Sequence, residues 1–238
     1  MIKIGCCGWS EAHQKYYRDF GALEIQETFY NPGKISKYQK WKREAPDNFE
    51  FIVKSWQLIT HAPSSPTYRK LKMEILTKEK KNYGFFQLTT PVMKAWEKIE
   101  QVAKVLNSKI ILFQCPASFK ATEENKENLK KFVKKIKSKK YILVWEPRKW
   151  GEKDIKEVCE ETGLVHVVDP FKAKPVKGKI NYFRLHGKPG YNLRYKYTDS
   201  DLNQLKRFCD KETNYVMFNN ISMAQDAKRF QKLLQRSK

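Results

Sequence analysis

Three features of this chain predict an α/β fold, a single TIM-type (β/α)₈ barrel spanning residues 1–238. Eight short apolar runs alternate with longer amphipathic segments, the layout of βα units and a parallel sheet. The 238-residue length suits one barrel, which commonly takes roughly 250 residues. Each apolar run closes on a polar or ionisable group.

In chain order, the first strand is read as Lys3–Gly8, ending in Gly8-Trp9-Ser10. The second, Glu24–Phe29, ends in Thr28-Phe29-Tyr30 and leads to a helix over Ile35–Arg43. The third, Phe49–Lys54, ends in Lys54 with His61 just beyond. A long irregular crossover follows, residues 60–84, opening on His61-Ala62-Pro63-Ser64-Ser65-Pro66, before a helix over Val92–Leu106. The fourth strand, Ile110–Cys115, closes on Gln114-Cys115-Pro116. Its helix, Glu123–Ser138, starts behind Thr122 with acid in the first turn, which suits a helix N-terminus. The fifth, Tyr141–Glu146, runs into Glu146-Pro147-Arg148 and a helix over Asp154–Thr162. The sixth, Val165–Asp169, meets Pro170, and residues 170–179 are too short and proline-broken for a full helix. The seventh, Asn181–His186, carries Arg184 and ends in His186-Gly187 ahead of a helix over Asp201–Cys209. The eighth, Tyr215–Asn219, ends in Asn219-Asn220 before a helix over Met223–Leu234. Near-continuous apolar runs such as Ile110-Ile111-Leu112-Phe113 belong to strands covered on both faces.

Composition narrows the function classes. Lys and Arg number 48 against 26 Asp and Glu, a net charge of +22 that concentrates polyanions. Part of it is plainly a solvated helix face: in Lys130-Lys131-Phe132-Val133-Lys134-Lys135-Ile136 the apolar residues form the buried stripe. No apolar run approaches the roughly 20 residues of a membrane span. Five cysteines without metal-knuckle spacing suit a reducing cytoplasm, and no membrane partner is expected.

The strand endings converge on one mouth in a barrel, where barrel active sites lie. Glu146, Asp169 and His186 end three consecutive strands and are the candidate catalytic residues. Two roles fit the carboxylates: acid–base groups or metal ligands on one side, and on the other a static ion network. In that network Glu146 pairs with Arg148 or Lys54, and Asp169 with Arg184. Lys54 suits a phosphate or carboxylate ligand, or a desolvated imine-forming amine. His61 suits a pin on the proline-rich loop better than catalysis, and Cys115 a packing residue. Tyr191, Tyr195 and Tyr197 alternate with Arg194 and Lys196, either a stacking and phosphate-neutralising surface or an amphipathic edge. There is no His-Glu-x-x-His, no Cys-x-x-Cys and no glycine-rich phosphate loop.

These residues, taken in order, resemble the YecE-like family, domain of unknown function seventy-two. The resemblance runs from Ile4-Gly5-Cys6-Cys7-Gly8-Trp9-Ser10 through Glu24 to Tyr30, Phe49 to Lys54, and Ile59-Thr60-His61. It continues through Leu112 to Phe119, Val168-Asp169-Pro170, Tyr182 to Gly187, and Phe218-Asn219-Asn220 with Ala224 and Ala227. It implies a β/α barrel and carries no assigned reaction, although the family barrel has been likened to metal-dependent DNA-repair endonucleases. Gln26 stands where the family usually has Asn, Cys115-Pro116-Ala117 replaces Leu-Pro-Pro, and Glu146 to Trp150 replaces a histidine-containing stretch.

The functional expectation is a barrel that binds nucleic acid, DNA or RNA, and cleaves phosphodiesters at its mouth. Glu146, Asp169 and His186 then do acid–base work or hold a single divalent metal ion. Lys54, Arg148 and Arg184 hold phosphates, and Trp9, Tyr30, His61, Gln114, Tyr191, Asn219 and Asn220 complete the substrate-binding set. The alternatives are an enzyme acting on a small anionic metabolite, a phosphosugar or carboxylate, and a non-catalytic nucleic-acid-binding module.

Overall fold

The computed structural model describes residues 1–176 and 178–236. Eight parallel strands close a barrel in chain order: β1 (Ile2–Cys7), β2 (Ala22–Ile25), β3 (Glu50–Lys54), β4 (Ile110–Gln114), β5 (Ile142–Glu146), β6 (Val165–Val168), β7 (Ile180–Leu185) and β8 (Thr213–Phe218). The last strand pairs back onto the first, from Ile2 opposite Asn214 to Cys6 opposite Phe218. Closure leaves no strand edge open.

Strand alternation sorts the residues into two cores. Outward residues such as Leu23, Val53, Phe113, Trp145, Phe183 and Phe218 pack under the helices. Inward residues Ala22, Ile52, Leu112, Val144, Val167, Tyr182 and Met217 fill the lumen. Two residues beyond each of these, on the same inward parity, stand Glu24, Lys54, Gln114, Glu146, Asp169, Arg184 and Asn219, with His186 two further on. The lumen is therefore apolar through its middle and charged at its C-terminal end.

The connections are α1 (His13–Asp19), α2 (Glu27–Tyr30), α3 (Ile35–Glu44), α4 (Gln57–Thr60), α5 (Thr90–Val105), α6 (Glu123–Ile136), α7 (Glu152–Thr162), α8 (Asp199–Phe208) and α9 (Met223–Gln235). Both expected irregular crossovers are present. After β3 the chain makes α4 and two 3₁₀ turns, Pro66–Lys70 and Thr77–Asn82, before α5. Between β6 and β7 it makes no helix among the described residues, residue 177 lying outside them.

The second strand differs from the sequence reading. It spans Ala22–Ile25 rather than Glu24–Phe29, and Glu27–Tyr30 turns into α2. The hydroxyl of Thr28 explains the break: it donates to the carbonyls of Ile25 (3.2 Å) and Lys54 (2.6 Å), closing the ends of β2 and β3 locally. Helix α1 was not read from the sequence because it is only seven residues long and has no side-chain cap. It forms because Tyr16 and Tyr17 on its buried side enter the core. The Tyr16 hydroxyl accepts from the Cys6 N–H and donates to the Ala22 carbonyl, at 2.8 and 2.9 Å, clamping β1 to β2.

That clamp requires Gly5. A Cβ there would lie 2.1 Å from the Ala22 carbonyl oxygen, so no side chain fits without separating the strands. Gly5→Ala is expected to cost about 3 kcal/mol or more, read as a lower urea midpoint at unchanged slope. An unchanged midpoint would show that β1 and β2 can part without loss.

Candidate active site at the barrel mouth

Arg184 on β7 is the centre of the charged end. It is 1% exposed, and its donors reach across the lumen to two other strands. Nε and Nη2 hold both oxygens of Glu24 on β2, at 3.0 and 2.8 Å. Nη1 donates to Glu146 on β5 and lies 3.5 Å from Nε2 of His186. Glu24 is also bonded by the Tyr182 hydroxyl (2.8 Å) and the Gln26 amide. Burial works against the Glu24 carboxylate, but Arg184 and Lys54 outweigh it and hold the group below the usual carboxylate range. Burial likewise opposes charge on Arg184, while Glu146 and Glu24 keep the guanidinium charged. The Cys7 thiol beside it is driven well above its ordinary range, by burial and then by Glu24.

Lys54 ends β3 within the same cluster. Its ammonium donates to Oε1 of Gln26 at 3.1 Å and sits 4.4 Å from the centre of the Phe29 ring. Burial, then Arg184, pushes its pKa down to about 8. His186 is held neutral: burial, then Arg184, Arg148 and Lys172, push it down to about 2. The Asp169 carboxylate accepts the backbone N–H groups of His186 (3.2 Å) and Phe171 (3.1 Å) and faces Lys172 at 3.6 Å. Burial raises its pKa against those bonds.

Above this floor lies a rim of cations around one exposed ring. Tyr191 stacks on His186 with centroids 4.5 Å apart. Arg148 and Lys172 lie 5.0 and 5.5 Å from its centre. Arg148 also bonds Glu146 at 3.2 Å, and its Nε is buried without a partner.

The structure thus brings together Lys54, Glu146, Asp169, Arg148, Arg184, His186 and Tyr191. Gln114 joins them by register opposite Glu146, and Asn219 by inward parity after Met217. His61 is buried at the end of α4, bonded to the Thr60 hydroxyl at 2.7 Å. Burial, then Lys54 and Arg148, pushes it down to about 3, so it borders the same field.

Three expected binding residues lie elsewhere. The Trp9 ring is stacked 3.9 Å from His13 and edged by Tyr16, Tyr17 and Trp41, so α1 and α3 consume it in packing. Tyr30 sits one helix past the end of β2. Its carbonyl accepts from Trp56 and its ring lies under Lys70. Asn220 is buried, its amide donating to Asp226 (2.6 Å), the Tyr195 carbonyl (2.8 Å) and Ser222 (3.0 Å), which fastens the start of α9. The Asp169–Arg184 pair considered from sequence does not form; Glu24 takes that guanidinium instead. Tyr195 bonds Asp201 at 2.6 Å and Tyr197 is buried, so of that tyrosine series only Tyr191 is free as a platform.

Glu24, Gln26, Tyr182 and Cys7 were missed as site residues. The available signal was Glu24 itself, a charge inside the apolar run Ala22-Leu23-Glu24-Ile25. A single divalent metal does not fit the expected ligands. Among the described residues, no three His, Cys, Asp or Glu side chains are grouped to hold an ion. Glu146 is also engaged by two guanidinium groups. An apolar cavity of about 540 Å³ opens toward the opposite end of the barrel, between Tyr141, Leu143, Leu164 and Ile180. It carries none of these groups.

A family model described as "Protein of unknown function DUF72" matches residues 3–238. The chain belongs to the DUF72 family. The UPF0759 protein YunF of Bacillus subtilis (strain 168) is 25% identical, over 93% of this chain and 89% of its own. The DUF72 barrel also resembles two solved structures in fold. One is a DUF72 family protein (EF0366) from Enterococcus faecalis V583, with a TM-score of 0.73 at 20% identity, covering 99% of this chain and 98% of that one. The other is a DUF72 family protein (TM1631) from Thermotoga maritima MSB8, with a TM-score of 0.69 at 21% identity, covering 99% of both. No helix among the described residues is long and apolar enough to cross a membrane.

Arg184→Met strands two carboxylates, so a loss of about 3–5 kcal/mol at pH 7 is expected by chemical denaturation. The loss should shrink at pH 5, where a Glu24 released from its guanidinium takes up a proton. An equal loss at both pH values would mean that the charge pairing is not what stabilises the wild type. The buried histidines His61, His166 and His186 set a second pH dependence. Their folded pKa values lie below that of an unfolded histidine, about 6.5. Below that pH the unfolded chain binds protons that the native chain refuses, and stability declines. His61→Gln should lose less stability than wild type between pH 7 and pH 4.5; parallel curves would contradict this.

Proposed function

We propose that this DUF72 barrel is an enzyme acting on a small anion, a phosphosugar or carboxylate, bound in the mouth. One observation carries the reading: a cluster of deeply buried charged groups lies at the floor of the mouth. Lys54, Arg184 and Glu24 are 6%, 1% and 0% exposed, beneath Arg148 and Lys172. A ligand must enter the barrel end to reach them, which suits a compact anion and not a duplex. Each rim cation offers a charge-assisted bond worth about 1.5–3 kcal/mol. Arg148→Ala or Lys172→Ala should therefore weaken binding of sugar phosphates by about 10- to 100-fold. Calorimetric titration of wild type and variants with a sugar-phosphate and carboxylate panel tests this. Equal affinities in all three proteins would remove the rim from the site.

A second reading is supported by Tyr191, whose ring is 53% exposed between two cations. Such a platform suits a nucleic-acid base with its phosphate, and the +22 charge would attract the strand. Cleavage by Glu146, Asp169 and His186 belongs to this reading. It requires single-strand affinity that falls steeply with salt and drops by about 1–3 kcal/mol in Tyr191→Ala. It also requires turnover lost in Glu146→Gln, Asp169→Asn and His186→Asn. Salt-independent or absent oligonucleotide binding leaves the small-anion enzyme as the account.

A further inference from the structure

We propose that Lys54 is a nucleophilic amine that forms an imine with a carbonyl carbon of the ligand, so that the substrate is an aldehyde or ketone bearing an anionic group. This rests on the small-anion reading and names the chemistry at the floor of that site.

The geometry separates Lys54 from every other lysine described. It is buried on the lumen side at the C-terminal end of β3, close to two carboxylates. Yet Arg184 takes Glu24 with a two-pronged grip and takes Glu146 with its remaining nitrogen. Among the described residues Lys54 forms no ion pair; the one hydrogen bond of its ammonium goes to the neutral amide oxygen of Gln26. An ammonium in that setting has lost water without gaining a salt bridge, the condition that favours a free amine. The Phe29 ring at 4.4 Å recovers part of the loss through its face. Lysines such as exposed Lys15, buried Lys126 and half-buried Lys130 instead rest against carboxylates. The surroundings agree, since burial and Arg184 bring Lys54 to about 8, within reach of neutral solution, whereas Lys15 is raised by Asp19 and Glu11.

The step balances without a redox partner or metal. The amine lone pair adds to the carbonyl carbon, and the carbonyl oxygen takes one amine proton to give a carbinolamine. Loss of that hydroxyl with the second amine proton releases one water and leaves a carbon–nitrogen double bond. Where Lys54 begins as ammonium, its extra proton passes to solvent. Protonation of the imine restores positive charge at a nitrogen that Glu24 and Glu146 already favour as a cation. The anionic end of the substrate belongs at the rim with Arg148 and Lys172. His61, which feels both Lys54 and Arg148, marks the two as parts of one site.

The test uses pyridoxal 5′-phosphate and, separately, pyruvate as probes, with borohydride to fix any imine and peptide mass mapping to locate it. In the wild type, adduct at Lys54 should exceed that at any surface lysine by at least tenfold at pH 7.5, with labelling rising with pH around a midpoint near 8. Lys54→Arg, which keeps the charge, should lose that adduct while retaining the wild-type circular dichroism spectrum. Mapping the unaltered protein decides the matter even if the variant misfolds. Labelling spread evenly over surface lysines overturns the proposal. The parent reading is scored apart from it, by the rise in melting temperature that each probe and inorganic phosphate cause in wild type and Arg148→Ala. A melting rise lost in Arg148→Ala, without adduct at Lys54, sinks the imine and keeps the anion site. Adduct at Lys54 that neither phosphate nor Arg148→Ala affects keeps the imine and sinks the anion site.

Discussion

The grip of Arg184 on Glu24 and Glu146 is the interaction on which the mouth depends. The three residues come from β7, β2 and β5, which are not neighbours in the sheet, so the contact spans the lumen. Desolvating these ions is costly, and such pairs seldom stabilise more than apolar residues of similar volume. What this one supplies is an electrical setting. It occupies both carboxylates, leaves Lys54 without an ion pair and, with the rim cations, keeps His186 neutral. After burial, the chemistry of Glu24, Lys54 and His186 depends on where that one guanidinium points.

The opposite end shows what the lumen does without such demands. There Lys3 bonds Glu50, and the Tyr215 hydroxyl donates to Glu50 at 2.6 Å, a pairing open to water at about a quarter of each ion's side chain. The surface charge is also partly answered locally. Helix α6 presents Lys126 and Lys130 to Asp154, Glu157 and Glu161 of α7. Pairs of this kind, with at least one partner open to water, contribute little each to the fold.

Much of the barrel was legible in the sequence because buried parallel strands are apolar on both faces and stand out from amphipathic helices. The meeting of Lys54, Glu146 and Asp169 at the mouth was legible for the same reason, since each ends such a run. Glu24 was not. Starting the second strand at Glu24 placed that carboxylate at the wrong end of the barrel, and its true position depends on a hydroxyl, Thr28, closing the ladder early. Trp9 and Asn220 failed differently. Their side chains suit a ligand, but α1, α3 and α9 supply partners from distant or later segments, which no local pattern discloses. Glu146, read as a catalytic acid or metal ligand or as a partner of Arg148 or Lys54, is held by Arg148 and by Arg184, and the second of these was not read from the sequence.

The pairing of β8 with β1 has a consequence for synthesis. The first strand cannot complete its ladder until nearly the whole chain has emerged, and Glu24 meets Arg184 only across 160 positions of sequence. On the ribosome, every incomplete barrel carries the Glu24 carboxylate in its prospective lumen before its guanidinium partner has been made. Closure of the barrel, which needs β8 against β1 and Arg184 against Glu24, is therefore a late step in the making of the chain.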